Sequence, residues 1–451
     1  MILHLVAEPS TTSSTPHTTS SLPSKPHLAP YACVDKFWNS FFESRTFNSL
    51  TITQDDIPAL SHIHEKPKVL WKLDSAFIKT GSSLWDVLSE WDSTGQEGMT
   101  LELSAFSPSD WVGFLLDDCS VEKDVELYKK YLASGSTEQF EAAGDVHKPY
   151  INLYGAFGIR SRYLPNEKRD QYWFATVKNL LGWEPLEFSD DAAELPPVSV
   201  VTKFLIRRQQ FREIYPTTLN KMLGSLFAVQ DIHIERWCCA ESRDEKSWCK
   251  EAHITFGMDL PPSVKRLSLY GETSKVFHTW AAKETTVVSL AKTLRQYTRD
   301  LESLPDGKNL KRLSLTSDIF KTGTKKDINN LLCAAARAAK KMPSLEMLEL
   351  WNGDTERACV FCYRVEDTVG EITWRGTHLP ALNNEVLRAW VVASINNNRP
   401  DVRESSEPIK AEDVASARQV LKYLASKDQV MHSVSVCRAI GKRKRNDSDE
   451  G

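Results

Sequence analysis

Five times in this chain an apolar residue is followed, three and five positions later, by two more. The runs are Val201, Phe204, Ile206; Val229, Ile232, Ile234; Val264, Leu267, Leu269; Leu310, Leu313, Leu315; and Leu345, Leu348, Leu350. The last two members of each run are two apart, the period of a strand, so each run lays one strand face into a core and reads as the strand half of a leucine-rich-repeat unit. One such unit cannot bury its apolar edge alone. Units therefore stack into a solenoid whose other strand face forms a long surface. The second members advance by 28, 35, 46 and 35 residues, longer and less regular than an ideal repeat of about 20–29. Helices over 219–226, 287–304 and 328–341 would supply return legs. Pro261-Pro262, Pro305 and Pro343 end helices and force an extended approach to three of the strands. The fold class this predicts is α/β, an irregular leucine-rich-repeat-like solenoid, and it points to recognition before chemistry.

Composition narrows the rest. With 451 residues, 41% of them apolar, the chain can bury a sizeable core, and its length suggests two or three domains. No apolar run approaches the roughly 18 residues a spanning helix needs, and the opening Met1 to Pro9 has no basic leader or small-residue cleavage site. We expect no membrane association and no secretion. Fifty-six Lys and Arg against 60 Asp and Glu leave a net charge of −4, which provides no global drive toward nucleic acid. Nine scattered cysteines fit reduced thiols in the cytosol or nucleus better than a disulfide framework.

The chain divides into a helical N-terminal module over 1–60, a mixed α/β connection over 61–194, the repeat region over 195–400, and a C-terminal helix, strand and charged tail over 401–451. Residues 10–27 are rich in Ser, Thr and Pro and have almost nothing to bury, so a disordered loop is expected there. Next, Tyr31, Val34, Phe37, Trp38, Phe41 and Phe42 recur on one helical face. Strands are expected at Leu50-Thr51-Ile52, Leu101-Glu102-Leu103, 360–365 and 371–374. Helices are expected over 71–91, 120–133 and 411–425, with an alternating strand-like run over 430–436.

Several of these segments resemble fungal F-box-like proteins, in which a small helical module precedes a large repeat-containing domain of unknown function. The resemblance rests on Met1-Ile2-Leu3, His27 to Trp38, Phe41-Phe42-Glu43, Arg45-Thr46-Phe47 and Leu50-Thr51-Ile52. It continues through Leu101 to Ser104, Ser107 to Asp110, Leu348 to Gly353 and Ile372 to Thr377, in that order along most of the chain. Such a module implies docking to a Skp1-type adaptor of a cullin ubiquitin ligase, with the repeat domain choosing the client. The Leu-Pro opening of that module is absent, and residues 10–27 separate its first two helices. The stripe of Tyr31, Val34, Phe37, Trp38 and Phe41 serves either adaptor contact or internal packing.

Side chains alternate along a strand, so residues flanking the buried ones point to the opposite face. That assigns Arg207, His233, Arg266, Tyr270, Arg312, Met347 and Trp351 to a client-binding face, where aromatic and Arg residues tend to carry the energy. The bland alternative is a solvated or covered sheet. Cys359 and Cys362 have ligand spacing but on a strand would face opposite sides, and Cys238, Cys239, Cys249 and His253 match no strong zinc signature, so no metal or cofactor is expected. Gly323 to Lys326 and Gly155 to Gly158 lack the context of a phosphate loop, and no Gly-x-Ser-x-Gly elbow occurs, so no enzymatic activity is expected. Lys442, Arg443, Lys444 and Arg445 form a candidate nuclear-import signal, with Ser448 among acids beyond it. A non-ligase scaffold, in which the N-terminal helices only cap the solenoid, stays open beside the ligase reading.

Overall fold

Among the described residues, eleven strands form one open sheet in a computed structural model. It describes residues 2–6, 49–53, 84–91, 98–104, 130–131, 185–188, 194–208, 213–238, 242–272, 308–317, 319–353, 357–377, 382–399, 401–414 and 417–440. In chain order the strands are β1 (Ile2–Val6), β2 (Ser49–Thr53), β3 (Met99–Ser104), β4 (Val201–Ile206), β5 (Asp231–Trp237), β6 (Arg266–Glu272), β7 (Arg312–Thr316), β8 (Met347–Gly353), β9 (Ala358–Glu366), β10 (Val369–Gly376) and β11 (Asp401–Pro408). Nine of them, β3 to β11, lie side by side in sequence order. On the far edge of β3, β1 pairs antiparallel with both β3 and β2.

The five apolar runs belong to β4 to β8, which are neighbours and parallel. Phe204, Ile232, Leu267, Leu313 and Leu348 stand opposite one another in register. The first member of the last four runs sits just before its strand in a stacked turn. Lys265 N donates to Gln230 O at 2.8 Å, Lys311 N to Lys265 O at 2.7 Å and Glu346 N to Lys311 O at 2.7 Å, so the ladder continues through the strand entries. At β9 the direction reverses: β8, β9 and β10 are antiparallel, joined between β9 and β10 by a tight turn in which Asp367 has φ of 55°. A parallel β11 then ends the sheet.

Helices cover one face. Among the described residues they include α1 (Pro216–Ser225), α2 (Ser242–His253), α3 (Lys325–Ala339) and α4 (Asn384–Asn396). Proline at the first position starts α1. A reciprocal Thr324–Asp327 capping box starts α3, and the Asn383 side chain accepts from Val386 N to start α4. Leu219, Met222 and Leu223 of α1, Leu331, Leu332 and Ala336 of α3, and Val386, Trp390 and Ala393 of α4 bury against the apolar strand face in one continuous core. In that core Phe361 packs its ring 5.2 Å from Trp390 and Tyr363 packs 4.7 Å from it.

The other face is covered as well. After β11 the chain crosses back over the sheet, with 3-10 turns at Ala411–Asp413 and Ala417–Tyr423, then α5 (Lys427–Val430) and α6 (Ser433–Ile440). The Ala417–Tyr423 turn packs on β8 and β9, and α5 on β5, β6 and β7. Ile409, Val414, Val420, Leu421, Leu424, Val430 and Met431 form a second core with Tyr270, Trp351 and Val360. At about 1.5–3 kcal/mol per buried aliphatic side chain, the gross contribution is on the order of 10 kcal/mol, enough to hold this segment as a third layer.

Several expectations change. Within the N-terminal module over 1–60, expected to be helical, the described residues form strands β1 (Ile2–Val6) and β2 (Ser49–Thr53). The helix expected over 411–425 is two 3-10 pieces, Ala411–Asp413 and Ala417–Tyr423, and just beyond them the amides of Ala425 and Ser426 serve a strand carboxylate instead of an ongoing helix. The strand-like 430–436 run joins two helices and pairs with no strand. Strands expected around Leu50, Leu101, 360–365 and 371–374 are present as β2, β3, β9 and β10. The expected helices over 120–133 and 287–304 lie outside the described residues, apart from a helical turn at 130–131.

Candidate functional site

Register carries one row of side chains across nine strands on the face beneath the C-terminal segment. Glu102, Leu205, His233, Ser268, Ser314, Glu349, Cys362, Thr373 and Ser405 stand opposite one another in turn. Each parallel strand offers the residue between its two core leucines or their equivalents, so a single alternation makes both the core and this row. Most of the row is polar, and Glu102, Ser268, Ser314 and Glu349 are fully buried. Buried polar groups need partners, and the covering segment supplies several of them.

Glu349 accepts from Ala425 N at 2.8 Å, from Ser426 N at 2.9 Å and from the Ser426 hydroxyl. Glu235, two residues along β5 from His233, accepts from His432 N at 2.5 Å and Arg208 N at 2.9 Å. The Nε2 of His233 lies 3.1 Å from both the Val430 carbonyl and Glu235, two acceptors, so it carries the proton. Arg207 Nε donates to Glu102 at 2.5 Å with both side chains buried. Two strand carboxylates thus hold main-chain amides six residues apart. Removing either partner strands a buried donor or a buried charge.

His432 sits over this arrangement. Burial, with Arg207, Lys203 and His233 nearby, holds its imidazole well below the usual histidine range, so it is neutral. Cys362, next to Glu349 in register, is driven far up by burial and by that carboxylate, which leaves an inert thiol. Ser268 stands opposite His233, but its Oγ makes no hydrogen bond and is buried, so no Ser–His relay forms.

A second charged cluster closes the carboxyl end of β5 on the helix side. Arg236 donates from Nε to Glu213 at 2.9 Å and from both terminal nitrogens to Glu245 of α2 at 2.8 and 2.7 Å. Its guanidinium lies 3.6 Å from the Trp248 ring centroid, and Trp248 Nε1 donates to Ile214 O. Burial pushes the Glu213 carboxyl up to about 8 against the pull of Arg236, which Glu245 already neutralises. One cation between two carboxyls ties α2 to the strand end, and the surrounding aromatic and cysteine side chains leave it closed to solvent.

The sequence-derived residues divide sharply. Arg207, His233, Tyr270, Met347 and Trp351 lie on the expected face but are buried, Tyr270 and Trp351 stacking 5.6 Å apart beneath the C-terminal segment. The face is therefore not the open surface that the repeat pattern suggested, because the chain's own residues after β11 occupy it. Arg266 and Arg312, nearer the strand starts, remain exposed. Tyr31, Val34, Phe37, Trp38 and Phe41, and the basic Lys442, Arg443, Lys444 and Arg445, lie outside the described residues. Cys359 faces the helix-side core while Cys362 faces Glu349, as their spacing on a strand requires. Among the described residues no helix is long and apolar enough to cross a membrane.

A model of a family of unknown function, DUF6546, matches residues 295–432. That span takes in β7 to β11, the crossing segment and its contacts up to His432, and it excludes β4 to β6. No curated protein and no solved structure matches the chain.

Proposed function

We propose that the protein is a protein-recognition module built on a leucine-rich-repeat-like solenoid, acting as the client-recognition subunit of an F-box-type Skp1–cullin ubiquitin ligase. The observation that carries the recognition reading is the run of β4 to β8 as consecutive parallel strands with their helices on one face, which leaves Arg266 and Arg312 exposed at the strand starts beside the sealed centre of the other face. The ligase link rests on the resemblance of the segments around Phe37 and Trp38 alone. The protein itself would form no bond; it would hold a client near a ligase, in the cytoplasm or nucleus. Copurification of the tagged full chain with a Skp1-type adaptor tests the link. Adaptor recovery that drops on Trp38→Ala supports it, and an absence of adaptor under conditions that recover other F-box proteins rejects it.

A second reading is favoured by the burial of Tyr270, His233 and Trp351 under the C-terminal segment. A strand face sealed in this way suits a scaffold without ligase connection. Partners that copurify without the adaptor would select it.

A further inference from the structure

The C-terminal segment covers the row through Ser268, Ser314 and Glu349, and the next row toward the strand starts is only partly buried. There Lys203, Asp231, Arg266, Arg312, Met347, Arg364, Glu371 and Arg403 stand opposite one another from β4 to β11. Five are cations and two are acids. Arg266, Arg312, Arg364 and Arg403 are exposed, while Asp231 and Met347 are buried. Arg266 pairs with Asp231 at 2.9 Å and Arg364 with Glu366 at 3.3 Å, which leaves Arg312 and Arg403 as the cations best placed to receive a new carboxylate. Exposed Lys265 and Lys311 flank the row, Lys265 donating to the Gln230 side chain at 2.8 Å and Lys311 pairing with Glu346 at 2.6 Å. We propose that this margin is the docking surface for an Asp/Glu-rich segment of a protein partner, a refinement that rests on the recognition reading above.

Size and charge choose the occupant. From Arg266 on β6 to Arg403 on β11 the row spans five strand spacings, about 24 Å at ~4.8 Å each, which an extended peptide of about seven residues covers. Exposed Arg side chains in a line offer forked donors that match carboxylates two at a time. A nucleic-acid strand fits less well: Glu371 interrupts the row, no aromatic side chain stands in it for base stacking, and the whole chain carries −4.

The test uses the full chain and a fluorescein-labelled eight-residue peptide of alternating Glu and Ser, read by fluorescence anisotropy. Binding should weaken at least about tenfold in the Arg312→Glu/Arg403→Glu double variant, weaken by a smaller factor in Arg312→Gln/Arg403→Gln, and fall as salt rises. The matched Gln-Ser peptide should bind at least about tenfold more weakly. Both arginines are exposed and neither forms an ion pair with another described residue, so the variants should melt with the parent. No binding by the parent, equal affinity for the Gln peptide, unchanged affinity in both variants, or tighter binding of a single-stranded oligonucleotide of the same length would each overturn the proposal. Loss of adaptor copurification leaves this surface standing. Partners retained undiminished by the Arg312→Glu/Arg403→Glu variant reject the surface and leave the recognition reading standing.

Discussion

Replacing Glu349 with alanine should loosen the C-terminal layer while the strands stay folded. Glu349 is fully buried and takes three donors from one turn: Ala425 N–H, Ser426 N–H and the Ser426 hydroxyl. Alanine leaves those donors facing an apolar gap. At about 1–3 kcal/mol for each buried donor left unsatisfied, two amides and a hydroxyl that can partly turn elsewhere give a loss of about 3–6 kcal/mol. That is a large share of the ~5–15 kcal/mol that holds a typical domain. The loss should appear first locally, because helix-side residues such as Leu348 and Leu350 belong to a core separate from that of the crossing segment. Native-state hydrogen exchange reads it directly: the amides of Ala425, Ser426 and His432 should exchange about 10²–10⁴-fold faster, and those of β5 to β8 much less. Glu349→Gln, which keeps one acceptor oxygen, should fall between. Exchange at Ala425 and Ser426 within about threefold of the parent would refute the view that this carboxylate anchors the layer. So would an equal loss across every strand, since the layer would then have no separate opening.

Three other perturbations probe neighbouring contacts. His432 is held neutral in the fold, so it takes up a proton more readily when unfolded; stability present above the unfolded value of 6.5 should be lost as pH falls below it, by up to about 1.4 kcal/mol per pH unit, and urea titrations from pH 7.5 to 5 should show less loss in His432→Gln. Glu213 has the opposite sense: its folded value is raised from 4.5 to about 8, so its contribution is full below 4.5 and is lost as pH rises to about 8, with a ceiling of about 5 kcal/mol at 1.36 kcal/mol per pH unit. Glu213→Gln keeps an acceptor for Arg236 and should flatten the stability curve over that interval; a curve as steep as the parent's would mean that another group titrates. At the end of β8 a Cβ on Gly353 would overlap the Val420 methyl, so Gly353→Ala should cost about 1–3 kcal/mol in thermal denaturation, and Val420→Ala in the same chain should recover part of it.

How far the residues spoke for themselves is clearest at Leu313, Ser314 and Leu315. Their alternation specified a strand, named the face that Leu313 and Leu315 bury, and placed Ser314 opposite, all of which the sheet contains. The same reasoning held for Ile232, His233 and Ile234. It failed for 411–425, whose amides near Ala425 are claimed by Glu349, a residue 76 positions away. No local period announces such a demand.

Alternation is a property of neighbours along the chain, so the sequence by itself determined the strands β4 to β8 and which of their side chains share a face. Whether that face meets water was decided only in three dimensions. Residues 409–434 return across the sheet and join Tyr270 and Trp351 in a second core, while leaving Arg312 and Arg403 at the margin. The cause is long-range burial: apolar groups such as Leu424 and Val430 find cover only on a surface assembled from strands far away in the chain, and buried carboxylates on that surface in turn choose which amides lie over them.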